Sequence, residues 1–119
     1  MRSISDTRPE TLLNLNNGSF QYNTNVEEKQ VELENGKKKT IFEYESVVIF
    51  GEPTRSKAIK AVIRDRRDET EEFNLINRYN AFTLEISDNV EDKIAYEDYL
   101  REVAAVKATV NADFEALGL

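Results

Sequence analysis

The sequence contains no cysteine and no histidine, and these two absences exclude whole classes of chemistry. Without cysteine there is no disulfide framework, no thiol nucleophile and no thiolate metal site. Without histidine, the usual zinc ligand, general base and pH switch are missing. Because no catalytic motif compensates for these groups, we expect that the protein is not an enzyme and that it uses no cofactor or metal.

Long apolar runs and an excess of positive charge are also absent. The N-terminal stretch MRSISDTRPETLLNL lacks the apolar core of about 7 to 15 residues that signal peptides carry, and no run approaches the ~20 residues that span a bilayer. The net charge is −7, from 16 basic and 23 acidic residues. Since nucleic-acid backbones and anionic membranes attract clustered cations, we expect neither as a partner. The sequence predicts a chain that resides in the cytoplasm when it is made.

The composition favours one folded domain. The chain has 119 residues, of which 39% are hydrophobic, and six phenylalanines and five tyrosines supply bulky core side chains. Residues 1–18 are polar and predict a flexible or loosely docked arm, whose leucines at 12–15 would dock as a short turn of helix. Residues 19–119 then form a single α+β domain.

A β-hairpin follows the arm. The stretch FQYNTNV alternates apolar and polar residues, and ENGK predicts a two-residue type I′ turn at Asn35 and Gly36. This turn pairs Val31 with Thr40 and places the even positions of the return strand in the core. Continued without a slip, this register places Val26 opposite Glu45 and turns the apolar side chains of FQYNTNV to the polar side, so we predict a β-bulge between Glu27 and Gln30. The even positions in question are Phe42, Tyr44, Val48 and Phe50.

Three helices complete the predicted α+β fold, in which an antiparallel β-hairpin or meander precedes two short helices and one long C-terminal helix. Thr54 or Ser56 caps the first helix, which runs to about Arg66, and Asp68 caps the second. The stretch AFTLEI is either a loop or a short third strand. Ser87 or Asp88 caps the last helix, at about residues 90–117.

The long helix carries an apolar stripe that has two interpretations. Such a stripe usually packs inside its own domain, but this one is almost four heptads long and could extend past so small a body. We therefore keep it as a candidate surface for self-association or for a protein partner. Its residues are Tyr96, Tyr99, Val103, Val106, Val110 and Phe114.

Three charged clusters are weaker candidates. The arginines at 64, 66, 67 and 78 lie among acids, as expected where one helix ends and the next begins. The lysines at 37–39 are typical of a turn or sheet edge that is kept soluble. Asp88, Glu91 and Asp92 are candidate ligands for a hard cation, although acids in the first turn of a helix are ordinary.

The stretch GEPTRSKAIKAVIRDRRDETEEFNLINRYNAF resembles small phage and prophage proteins of Bacteroides-type bacteria. The shared pattern is a strand that ends in Pro-Thr, a helix with AxIR, an acidic DxxEEF step and LIN-x-Y, followed by a Y-x-x-YL helix that YEDYL matches. The resemblance covers about residues 43–100. It implies an accessory or structural role near virion or tail assembly, without a cofactor, and adds the virion as a location. It assigns no functional residue.

These observations favour a non-enzymatic phage or prophage protein that acts through protein–protein contacts. One alternative is an acidic decoy that inhibits a nucleic-acid-binding host protein, based on the net charge. Another is a metal-dependent enzyme that uses Asp88, Glu91 and Asp92.

Overall fold

The structure, a computed structural model, describes residues 1–119 and confirms the α+β fold. A four-stranded antiparallel sheet has the strand order β1-β4-β3-β2, and three helices follow it. The strands are β1 (Arg2–Ser5), β2 (Leu12–Asn14), β3 (Ser19–Glu32) and β4 (Lys38–Phe50), and the helices are α1 (Arg55–Arg66), α2 (Glu69–Thr83) and α3 (Val90–Ala116).

The N-terminal segment is part of this sheet. β1 pairs with β4 and β2 pairs with β3, so residues 1–18 supply both outer strands. The predicted turn of helix at residues 12–15 is wrong, since Leu12 lies opposite Tyr22 in a β-ladder. Pairing with the long strands satisfies the backbone groups that an isolated helical turn would leave open.

The register of the β3–β4 hairpin differs from the prediction by one residue. Its loop has three residues, because Leu33 donates to the Lys37 carbonyl at 2.7 Å and Gly36 donates back to Leu33 at 2.9 Å. Within this loop only Gly36 has a positive φ, whereas a type I′ turn needs two consecutive residues with a positive φ. Val31 therefore lies opposite Lys39 instead of Thr40.

This shift reverses the faces of β4, because a one-residue slip moves every side chain to the other side of the sheet. The residues that enter the core are Val47 and Ile49. The predicted core residues Val48 and Phe50 are instead 45% and 77% exposed. Phe42 and Tyr44 share their face, on the side away from the helices, where both are half-buried.

A β-bulge interrupts β3, as predicted, but earlier than predicted. The register shifts between Thr24 and Glu27, where Asn25 and Val26 together face one residue of β4. Asn25 adopts a positive φ of 51°, which asparagine tolerates better than most residues. The predicted stretch between Glu27 and Gln30 is regular.

The helix boundaries agree closely with the local signals. Thr54 caps α1 and Asp68 caps α2, each accepting from the backbone N–H three residues on. The cap of α3 is Asn89, which accepts from the Glu91 N–H, instead of the predicted Ser87 or Asp88. The stretch AFTLEI contains no strand, since α2 runs to Thr83 before the loop to α3.

The molecule is elongated, measuring 60 × 40 × 23 Å. Its main core lies between the helix-facing side of the sheet, α1 and residues 102–116 of α3, which we call the inner half of α3. Residues 90–101, the outer half, pack mainly on α2. The main core consists of Tyr22, Val47, Ile49, Ala58, Val62, Val106, Val110 and Phe114.

None of the three helices combines the length and the apolar content that crossing a lipid bilayer requires.

Candidate protein-binding surfaces

The apolar stripe of α3 lies mostly inside the protein. Val106, Val110 and Phe114 belong to the main core, and the Phe114 ring meets Tyr22 edge-on at 5.8 Å. Tyr99 is also buried, while Tyr96 and Val103 are half-buried. Tyr96 stacks on Tyr79 of α2 with ring centroids 4.4 Å apart. The stripe therefore packs against the sheet, α1 and α2, which was the other interpretation that the sequence left open.

The charged stretch between α1 and α2 forms a joint. Arg64 donates to Glu72 through two nitrogens, at 3.1 and 3.3 Å, and the Tyr99 hydroxyl donates to the same carboxylate. Two hydrogen bonds lower the pKa of Glu72 below its usual value, and the one from Arg64 has a larger effect than the one from Tyr99. Burial and the neighbouring Glu72 raise the pKa of Tyr99 to about 12. These contacts join α1, α2 and α3.

A second set of ion pairs fixes the same joint to the sheet. Arg66 donates to both carboxylate oxygens of Glu45 on β4, at 2.6 and 3.1 Å. Glu102 accepts from Arg67 at 3.1 Å and also pairs with Arg66. Arg78 donates to a carbonyl of its own helix, that of Asn74. The first three arginines are therefore paired with carboxylates, so they do not form a free anion site.

The remaining charged candidates lie apart. Lys37 and Lys38 are exposed at the end of the β-hairpin, and Lys39 pairs with Asp6. Glu91 and Asp92 lie in the first turn of α3, and Asp88 directly precedes its cap, Asn89. Nowhere does the structure bring together three carboxylates that could hold a metal ion.

A polar network and a small cavity lie within the fold. Asp113 of α3 accepts from the Tyr22 hydroxyl at 2.5 Å and from the Thr24 hydroxyl at 2.8 Å. The neighbouring cavity, bordered by Arg66 and Thr109, has a volume of about 110 Å³. This volume is well below the ~300 Å³ at which ligand pockets begin. The cavity is therefore too small for a ligand of ordinary size, and the hydrogen bonds of Asp113 serve to anchor α3 to β3 of the sheet.

One edge of the sheet is open. β1 covers β4 only from Phe42 to Glu45, with Met1 opposite Ser46, so no strand lies beside residues 47–50. Ser46 donates to the Met1 carbonyl at 2.8 Å, which shows that its N–H points towards the β1 side. In an antiparallel ladder alternate residues point to the same side. The backbone groups of Val48 and Phe50 therefore also point to this side of β4, where no strand lies beside them.

The hydrogen bonds on the other side of β4 agree with this orientation. Gly51 donates to the Gly18 carbonyl at 2.8 Å, towards β3. Asn23, which lies opposite Ser46, donates away from β4 to the Thr11 carbonyl at 2.8 Å. Odd-numbered residues of this part of β4 therefore bond to β3, and even-numbered ones face the open edge.

Helix α1 lies along this open edge and forms a groove with it. The side chains of Lys57 and Lys60 are exposed, and neither makes an ion pair with a carboxylate. The Lys57 ammonium donates to the Phe50 carbonyl at 3.1 Å. We call this groove the edge groove; its lining consists of Val48, Ile49, Phe50, Lys57, Lys60, Ala61 and Arg64.

A second accessible surface lies at the free end of the α2–α3 pair. Leu84 and Ile86 lie in the connecting loop and are 69% and 78% exposed. Val90 and Ile94 are exposed four residues apart on the first turns of α3, a spacing that places them on one helix face. We call these four residues the outer hairpin surface.

The sequence did not identify either surface. Val48 and Phe50 were predicted as core because of the register, and Lys57 and Lys60 look like ordinary exposed residues of an amphipathic helix. Leu84 and Ile86 alternate with polar residues, a pattern that is compatible with both a loop and a short strand.

No protein-family model, curated protein or solved structure matches this chain.

Proposed function

We propose that the protein is a non-enzymatic phage or prophage accessory or structural protein that acts through protein–protein contacts, with a role in virion or tail assembly. The sequence pattern of residues 43–100 supports the phage origin. The outer hairpin surface supports the mode of action. It is the observation that carries the proposal.

The argument rests on exposed apolar area at the end of a projecting element. Ile86 is 78% exposed and Leu84 is 69% exposed, although the α2–α3 pair has an interior in which Leu75 and Tyr99 are buried. Large apolar side chains that are clustered and exposed usually mark contacts with other proteins. A projecting helical pair reaches a partner without obstruction by the sheet.

The acidic-decoy alternative has less support. A decoy needs a continuous acidic band, and here many carboxylates are paired with cations, such as Glu45 with Arg66 and Glu72 with Arg64.

Site-specific photocrosslinking tests the proposal. A photoreactive phenylalanine analogue placed at Ile86 should crosslink to a protein encoded beside this chain, in bacteria in which the phage or prophage is active. The same analogue at Lys107, an exposed position on the inner half of α3, is the matched control. Mass spectrometry then identifies the crosslinked chain.

A crosslink to a capsid, portal or tail protein at Ile86 but not at Lys107 would support the proposal. Equal crosslinking at both positions, or a crosslink to a DNA-binding host protein, would contradict it. Leu84→Asp, introduced with the analogue still at Ile86, should abolish the specific crosslink without a change in circular dichroism, because the Leu84 side chain is exposed in the free protein.

A further inference from the structure

We infer that the edge groove binds an extended segment of a partner protein, in which acidic and apolar residues alternate, by adding it as a strand beside β4. This surface is separate from the outer hairpin surface, and each can be tested without the other.

The open backbone supplies the first part of the argument. Val48 presents an N–H and a carbonyl to the open edge, and Phe50 presents an N–H, while its carbonyl already accepts from Lys57. Unpaired groups of this kind are templates for strand addition. β1 occupies the same row antiparallel to β4, so an added strand continues that row.

The two sides of the groove supply the second part. Side chains of a strand point alternately to the two faces of the sheet. On the helix-facing side, an added strand would meet Lys57 and Lys60, which have no carboxylate partner. On the other side it would meet the exposed side chains of Val48 and Phe50. The complementary ligand therefore alternates acidic with apolar residues.

Local charge favours this ligand over a second copy of the chain. Arg64 adds a third cation to the groove, although Glu72 holds it, and the nearby Asp65 is paired with the terminal ammonium of Met1. Two copies that paired through β4 would bring their Lys57 and Lys60 side chains towards each other. Like charges at such short range oppose that arrangement.

The test uses a capped synthetic peptide of about seven residues in which glutamate alternates with valine, a length that matches an ordinary strand. Binding is followed by NMR and by amide hydrogen exchange. At about 1 mM peptide, a concentration suited to weak binding, we expect slowed exchange at the amides of Val48 and Phe50. The peptide controls are one with the same residues in two blocks and one with lysine in place of glutamate.

Two protein variants separate the contributions of charge and backbone. Lys57→Glu with Lys60→Glu should raise the Kd for the peptide about tenfold, because attractive pairs become repulsive ones. Lys37→Glu with Lys38→Glu changes the net charge equally at the distant end of the β-hairpin and should leave the Kd within about twofold, since salt screens remote charges. Val48→Pro removes an outward N–H without affecting the β3 ladder and should also weaken binding.

Three results would overturn the inference. The first is unchanged exchange at Val48 and Phe50 with the alternating peptide. The second is equal affinity of the lysine-reversed and native proteins, or of the alternating and block peptides. The third is a dimer in which the amide of Val48 is already protected, detected by sedimentation and exchange without peptide, since a second copy would then occupy the groove.

Discussion

The two halves of α3 belong to one continuous helix but have different surroundings. The inner half buries Val106, Val110 and Phe114 against the sheet and α1. The outer half packs mainly on α2 and buries only Tyr99 fully, leaving Val90 and Ile94 exposed. The same apolar periodicity therefore produces a central core in one half and a thin two-helix contact in the other.

This difference indicates where the protein is rigid and where it can accept a partner. Local stability follows the number of buried apolar contacts, so the inner half should exchange its amides only on global unfolding. The outer half should open more readily. The exposed apolar residues lie in the half that the fold stabilises least.

The largest expected effect concerns the main core. Phe114→Ala should lower the free energy of unfolding by about 3 to 5 kcal/mol, because it leaves a cavity at the centre of the inner half. Ile94→Ala, in the outer half, should change it by less than about 0.5 kcal/mol. Urea denaturation monitored by circular dichroism measures both. Equal losses would show that the two halves do not differ in this way.

An intermediate effect is expected when each half of α3 loses one hydrogen bond that involves a tyrosine hydroxyl. Tyr22→Phe removes a hydrogen bond from a fully buried ring to the Asp113 carboxylate, and should cost about 1.5 to 3 kcal/mol. Tyr99→Phe removes a hydrogen bond to Glu72, which keeps Arg64 as its partner, and should cost about 1 kcal/mol. A greater loss for Tyr99→Phe in the same urea titrations would reverse the order of the two halves.

The smallest effect is the pH dependence, because these charged groups keep contact with solvent. Burial raises the pKa of Glu45, but the hydrogen bonds from Arg66 and Asn25 outweigh it, and the net pKa is lowered. The pKa of Glu72 is lowered as well, by the hydrogen bonds from Arg64 and Tyr99. Since both folded values lie below the usual 4.5, the stabilisation is present above pH 4.5 and is lost as the pH falls further.

Tyr99 gives the opposite dependence at high pH. Its folded pKa of about 12 exceeds the usual 10.0, so its contribution is complete below pH 10.0 and is lost as the pH rises towards 12. Glu72→Gln should weaken both the acidic and the alkaline loss of the outer half, as measured by thermal melts across pH. Unchanged profiles in this variant would exclude the Glu72 carboxylate as their source.

Much of the fold was predictable because its signals are local. Thr54 and Asp68 cap helices through hydrogen bonds to backbone groups only three residues away. The end of α1 at Arg66 was equally predictable from the sequence. The strand pairing was harder to predict, because Asn35 and Gly36 are compatible with both a two-residue and a three-residue loop. The length of the loop sets the register of the whole hairpin.

Neither candidate surface could be predicted from the sequence. Lys57 and Lys60 acquire a role only because β4 lies beside α1 with its edge uncovered, which depends on the strand order and on where β1 pairs. The exposure of Ile86 depends on α2 and α3 projecting away from the sheet. Residues distant in the chain decide both features.

The sequence by itself determined the types and order of the main elements, most of the helix boundaries and the absence of cysteine and histidine chemistry. Each of these depends on composition or on contacts within a few residues. The tertiary structure decided which face of β4 enters the core, which edge of the sheet stays open and how the α3 stripe divides between two environments. These features depend on pairing between distant segments, where a shift of one residue exchanges a buried side chain for an exposed one.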